Sequence, residues 1–170
     1  MTATNDLPYR PCVGVMLINR EGKVFVGRRA DHVGAPEGVG QWWQMPQGGL
    51  DRGEDPEDAA RRELEEETGV TRARIIGRSA LWYNYDLPED VVGSVWQGRY
   101  RGQTQLWFAA RFEGEDSEID LSPKRGHKQE FDAWKWVPHR LLPDLIVPFK
   151  RHVYESVVRE FESLLFESTG

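Results

Sequence analysis

Apolar residues along the chain mark out its elements. Residues 11–19 (PCVGVMLIN) are strongly apolar, and residues 24–27 form a second, shorter apolar run. Arg20-Glu21-Gly22-Lys23 between them has turn chemistry, so the pair predicts a β-hairpin. Residues 31–40, with three glycines and a proline, read as an exposed loop and not as a domain linker. Residues 42–45, 74–85 and 104–112 have strand composition, and 133–137 predict a short tryptophan-rich strand. Within 104–112, Leu106 and Phe108 alternate with Trp107, which assigns them to opposite faces. The acidic, polar stretch 113–128 reads as a loop.

Two segments carry helical signals. Asp55 is an acidic N-cap, Pro56 suits the first helical position, and Glu57 and Asp58 complement the positive end of the helix dipole. Gly69 then supplies a left-handed stop, giving a helix over 56–68. From Pro148 onward, Phe149, Val153, Tyr154, Val157, Val158, Phe161, Leu164 and Leu165 recur at helical spacing, which predicts a long amphipathic C-terminal helix. Periodicity by itself supports α plus β in one domain, residues 1–170, with 1–8 flexible.

Composition narrows the chemistry. Hydrophobic residues at 39% and charged residues at 29% exclude wholesale disorder. No apolar run reaches the length of a membrane span. Residues 1–8 lack the basic-then-apolar order of a secretion signal, so the cytoplasm is the expected compartment and no membrane partner is expected. A single cysteine, Cys12, cannot form an internal disulfide, and the four scattered histidines offer no zinc spacing. Neither a Gly-x-Ser-x-Gly elbow nor a phosphate loop with its lysine is present. The net charge of −6 disfavours extended contact with duplex DNA. A short nucleic-acid end or a small polyphosphate fits it better, and so does a carboxylate-rich site that metal neutralises.

Glu63, Glu66 and Glu67 project from one face of the 56–68 helix. Such like-charge pairs oppose a helix by about 0.2–0.5 kcal/mol each, which a solvated surface tolerates. The flanking pattern separates a solvated face from a site. It runs Gly48, five residues, Glu54, seven residues, Arg62-Glu63-Leu64, one residue, Glu66-Glu67, one residue, Gly69-Val70. This resembles, without a substitution, the signature of the Nudix hydrolases, which cleave nucleoside diphosphates linked to another group. The resemblance implies Mg2+ as cofactor, with Mn2+ or another divalent cation able to substitute. It also implies Glu63, Glu66 and Glu67 as metal ligands, with Glu54 auxiliary. Clustered carboxylates are the hard oxygen ligands this ion prefers, and glycines let the Gln47-Gly48-Gly49 backbone approach a diphosphate closely. Arg62 is spaced to orient a carboxylate; a surface ion pair is its competing role.

Further segments extend the resemblance over nearly the whole chain. Tyr9-Arg10-Pro11, the run from Trp43 to Gly49, Gln103 to Phe108, Glu130-Phe131-Asp132-Ala133-Trp134 and Phe149 to Tyr154 are similar to one branch of the family. That branch holds the bacterial RNA pyrophosphohydrolases and the asymmetrical diadenosine tetraphosphate hydrolases. It implies an α/β/α sandwich with a mixed central sheet, the signature helix on one side and the C-terminal helix on the other. Glu130 is implied as a further metal ligand or general base, acting with Glu67 and Arg62 in catalysis. Arg10, Arg28 and Lys150 are implied to hold the polyphosphate, and Tyr83 and Phe149 to stack a purine. An ordinary surface cation is the competing role for each of Arg10, Arg28 and Lys150, and core packing for Tyr83 and Phe149; the remaining tryptophans are assigned to the core.

The implied reaction is metal-dependent cleavage of (di)nucleoside polyphosphates, such as diadenosine tetraphosphate to ATP and AMP, or removal of pyrophosphate from 5′-triphosphorylated RNA. The acidic balance leans towards the small dinucleotide. Hydrolysis of ADP-ribose or nucleotide sugars, and non-catalytic nucleotide sensing, are the alternatives. Two departures stand out: Leu87-Pro88-Glu89-Asp90 is acidic where RNA-processing relatives can be basic, and the 31–40 loop is long. A monomer or small homo-oligomer is expected.

Overall fold

A computed structural model of the chain describes residues 6–30, 42–124 and 126–166; the loop expected over 31–40 lies outside them. Of the segment expected to be flexible, residues 1–5 also lie outside. Leu7 packs against the core, and Arg101 N–H donates to Pro8 O at 3.0 Å.

The expected hairpin joins β1 (Tyr9–Ile18) to β2 (Val24–Arg29), closed at Ile18 opposite Val24. Beyond that pair the two strands part. β2 continues with β3 (Trp43–Gln44) and β8 (Phe131–Val137), while β1 is paired by β4 (Gln47–Gly49). On its other edge β1 runs parallel to β7 (Gly102–Phe112) in unbroken register from Tyr9↔Gly102 to Ile18↔Arg111. The single strand expected over 74–85 is two, β5 (Ala73–Arg78) and β6 (Tyr83–Asp86), which share β7 end to end. With one parallel pair among antiparallel ones, the sheet is mixed.

Strand alternation sends side chains to two cores. Met16, Ile18, Trp107 and Ala109 face one way, and Val13, Val15, Leu17, Leu106, Phe108 and Ala110 the other. The second core is covered by α1 (Pro56–Thr68) through Ala59, Ala60 and Leu64. Asp55 caps this helix by accepting from the Glu57 and Asp58 N–H groups, and Gly69 ends it at φ 74°. The first core is covered by Val153, Tyr154, Val157 and Phe161 of the C-terminal helix, α4 (Arg151–Phe161). That helix is shorter than its apolar run, because single 3-10 turns precede and follow it. Arg111 of β7 ties the last turn down by donating to the Leu164 and Leu165 carbonyls at 2.8 and 3.0 Å. The layers are helix, sheet, helix. Two short helices, α2 (Glu89–Val92) and α3 (Leu142–Leu145), lie between strands and before α4. No helix among the described residues is long and apolar enough to cross a membrane.

The expected core placement holds for Trp107 and, at the margins of the core, for Trp43, Trp96, Trp134 and Trp136, but not for Trp82. Only Trp107 is fully buried; Trp82 is 41% exposed, and Trp42 and Trp96 line a cavity.

Candidate active site

The cavity opens where β1 and β2 part, and encloses about 530 Å³. β4 lies across its floor, paired to β1 from Cys12↔Gly49 to Gly14↔Gln47. Both its glycines leave room that the ends of neighbouring side chains occupy. A Cβ on Gly48 would stand 2.1 Å from the Glu63 carboxyl carbon, and one on Gly49 2.3 Å from Arg10 Nη2. One glycine makes room for an anion and the other for a cation.

Arg62 organises the carboxylates of α1. Its Nε and Nη2 donate to the two oxygens of Glu54 at 2.9 Å each, and Nη2 also donates to Gly49 O at 2.9 Å. Its Nη1 donates to Glu63 Oε1 at 2.8 Å and to Glu66 Oε2 at 3.3 Å. The rigid guanidinium fork thereby spans three carboxylates and a backbone carbonyl. The hydrogen bond from Arg62 holds the Glu54 carboxyl below its usual range, so Glu54 acts as the clamp on Arg62. Glu67 is buried and accepts from Gln47 N–H at 3.0 Å. Burial, then the charges of Glu130 and Glu63, push its carboxyl well above the usual carboxylate range. Burial also raises Glu63 to about 7 against the opposing effect of Arg62. Glu130 faces this group from the loop before β8, anchored where its carbonyl accepts from Ala30 N–H at 2.9 Å.

No three acidic, histidine or cysteine side chains among the described residues already stand at ligating distances. Arg62 holds Glu63 and Glu66, while Gln47 holds Glu67. The donor set nonetheless suits a divalent cation. Its members are hard carboxylate oxygens crowded into one buried corner, and their mutual repulsion is the load such an ion relieves.

Cationic and aromatic side chains line the same cavity. Lys150 is 6% exposed, its Nζ 5.0 Å from the centre of the Tyr85 ring, and burial pushes its pKa down to about 8. Arg10 Nη1 donates to Cys12 Sγ at 3.4 Å, and its guanidinium carbon lies 5.4 Å from the Trp96 ring. Among the described residues no carboxylate pairs with either cation. Phe149 packs on Tyr85 with centroids 5.6 Å apart, so it both joins the core and lines the cavity.

Two sequence expectations are corrected. Arg28 does not line the cavity: its Nε donates to Asp132 Oδ1 at 2.7 Å, and Arg29 lines the site instead. Adjacent strand residues face opposite sides, and a register shift between Arg28 and Arg29 separates them further. Tyr83 is likewise outside, donating its hydroxyl to Glu160 Oε1 at 2.5 Å; Tyr85, two residues on, lines the cavity. Both tyrosines share a face, but Tyr83 sits one strand repeat further along, over α4.

A glutamine relay was also missed. Trp107 Nε1 donates to Gln105 Oε1 at 3.0 Å, while Gln105 Nε2 donates to Gln47 Oε1 at 2.6 Å and Gln103 Oε1 at 2.7 Å. An indole nitrogen can only donate, which fixes the orientation of the Gln105 amide. The available signal was two glutamines at strand period beside a tryptophan in an otherwise apolar strand.

Comparison with known proteins follows this geometry. A family profile described as NUDIX domain matches residues 8–157. An RNA pyrophosphohydrolase of Rhodopseudomonas palustris (strain BisB18) is 59% identical, the alignment covering 96% of this chain and 94% of that one. One from Brucella ovis is 55% identical over 96% and 93%. The crystal structure of a C. elegans Ap4A hydrolase binary complex shares the fold with a TM-score of 0.60 at 16% identity, over 91% of this chain and 97% of that one. E. coli dihydroneopterin triphosphate pyrophosphohydrolase gives 0.62 at 18%, over 90% and 99%.

Proposed function

From the premise that this chain belongs to the NUDIX family, we propose that it is a pyrophosphohydrolase of 5′-triphosphorylated RNA ends and dinucleoside polyphosphates, working as a single catalytic domain. One observation carries the reading: the carboxylates of α1 and Glu130 line one cavity together with Arg10, Arg29 and Lys150, and much of the rest of its lining is aromatic and apolar. A polyphosphate needs the charged half and its nucleoside the other. The names of relatives at 55–59% identity favour the RNA end over the dinucleotide that net charge suggested.

Magnesium is the proposed ion, held by Glu63, Glu66, Glu67 and Glu130; when bound, such an ion neutralises phosphate charge and acidifies a bound water. The remaining work belongs to the chain. Arg10, Arg29 and Lys150 bind ionised phosphate oxygens, while Gly48 and Gly49 let the chain pass close to the backbone. Tyr85 and Phe149 receive the base. Arg62, clamped by Glu54, orients Glu63 and Glu66. A carboxylate of the Glu67–Glu130 pair takes the proton of the attacking water. The water oxygen forms the new P–O bond, and the bridging P–O bond breaks with its electron pair leaving on the departing phosphate.

Glu67→Gln should lower kcat by about 10²–10⁴-fold, with a melting temperature no lower than that of the parent. Pyrophosphate release from a triphosphorylated oligonucleotide and ATP release from diadenosine tetraphosphate, measured side by side, set the substrate preference. Absence of both activities in the parent chain defeats the proposal. Hydrolysis undiminished in the Gln variant defeats the role of Glu67.

A further inference from the structure

Between β6 and β7 the chain leaves the sheet for residues 87–101 and returns with Trp96 at the cavity wall. Trp96 and Gln97 both take left-handed backbone, at φ 50° and 59°, the only non-glycine residues with positive φ among those described. Left-handed pairs without glycine persist where the surroundings hold them, and they cluster at functional sites. Here Tyr100 meets the Trp96 ring edge-on at 6.2 Å, and Gly98, at φ 69°, turns the chain back. The result is an indole presented to Arg10, whose guanidinium carbon lies 5.4 Å from the ring centre.

Arg10 is otherwise seated by neutral groups. Its Nη2 occupies the space that a side chain on Gly49 would fill, and its Nη1 donates to the buried Cys12 thiol. With no carboxylate partner among the described residues, its charge is left for an anion in the cavity. A side chain as long as arginine needs something to fix its direction, and a carboxylate in that role would cancel the charge. An aromatic face fixes direction without cancelling it.

We propose that Trp96 is a positioning residue that, together with the Gly49 backbone, clamps Arg10 in the orientation that receives a phosphate of the substrate. This rests on the phosphate-binding role given to Arg10 above.

The test measures binding of adenosine 5′-triphosphate in EDTA by calorimetry, so that it reads the clamp without turnover. It then measures KM and kcat on the preferred substrate. Trp96→Leu keeps apolar bulk and removes the π face; it should weaken binding and raise KM by roughly fivefold to twentyfold with kcat nearly unchanged. Trp96→Phe should restore most of the affinity. In an Arg10→Ala background, Trp96→Leu should weaken binding no further. Parent-like affinity in Trp96→Leu overturns the proposal, as does a loss that adds in full to that of Arg10→Ala. A parent chain that binds the nucleotide but hydrolyses nothing defeats the enzymatic reading alone, and the binding cycle still decides the clamp.

Discussion

Lys150 carries its ammonium in a wall where burial, followed by the charge of Arg29, pushes its pKa from 10.5 to about 8. Folding therefore disfavours the charged form. Below about pH 8 the buried cation costs stability, and the cost fades as pH rises from there towards 10.5, because only the unfolded chain still holds the proton. Lys150→Met should raise stability at pH 7 by about 1–3 kcal/mol, with the gain shrinking at pH 10, while nucleotide affinity falls. Urea melts at the two pH values check this, and a pH-independent gain would refute it. At this scale the sequence revealed chemistry better than direction. Glu63, Glu66, Glu67 and Arg62 were legible because one helix fixes their spacing. Two basic residues in a row, or two tyrosines at strand period, do not say which one reaches the cavity, and it is Arg29 and Tyr85 that line it rather than Arg28 and Tyr83.

The signature helix is set by its ends. Asp55 satisfies two N–H groups at one end, and Gly69 at φ 74° allows its own N–H to reach Glu65 O at the other. A Cβ on Gly69 would also press on Asp120 at 3.2 Å, whereas one on Gly53, at φ 79°, meets nothing within 4 Å. Gly53→Ala should cost about 1 kcal/mol and Gly69→Ala more, about 2 kcal/mol. Equal losses in denaturant melts would show that backbone conformation alone is responsible. Caps are local chemistry, which is why residues 56–68 could be read without a structure. The division of 74–85 into β5 and β6 is not local. It depends on β7 being long enough to pair both, and on Ser79 turning inward to accept Trp107 N–H at 3.0 Å.

At the scale of the whole molecule, packing gathers four carboxylates that the sequence spreads from Glu63 to Glu130. Burial pushes Glu63 up to about 7, and burial with the neighbouring carboxylate charges pushes Glu67 well above its ordinary 4.5. Without a cation, the folded chain keeps protons that the unfolded chain has lost, so these groups lower stability as pH rises from 4.5 towards 7. A divalent cation must displace those protons. Its affinity should climb by about tenfold or more between pH 6 and 8, with protons released on binding; calorimetry in buffers of different ionisation heat measures both, and a flat affinity would count against the cluster as the ion's seat. The glutamine relay links this corner to the middle of the protein. Trp107 is sealed in the core, yet its indole N–H ends a chain that runs through Gln105 to Gln47, whose backbone holds Glu67. Its indole proton should therefore exchange slowly with solvent, and a shift of its magnetic resonance on adding the ion would make it a built-in probe of a carboxylate it never touches.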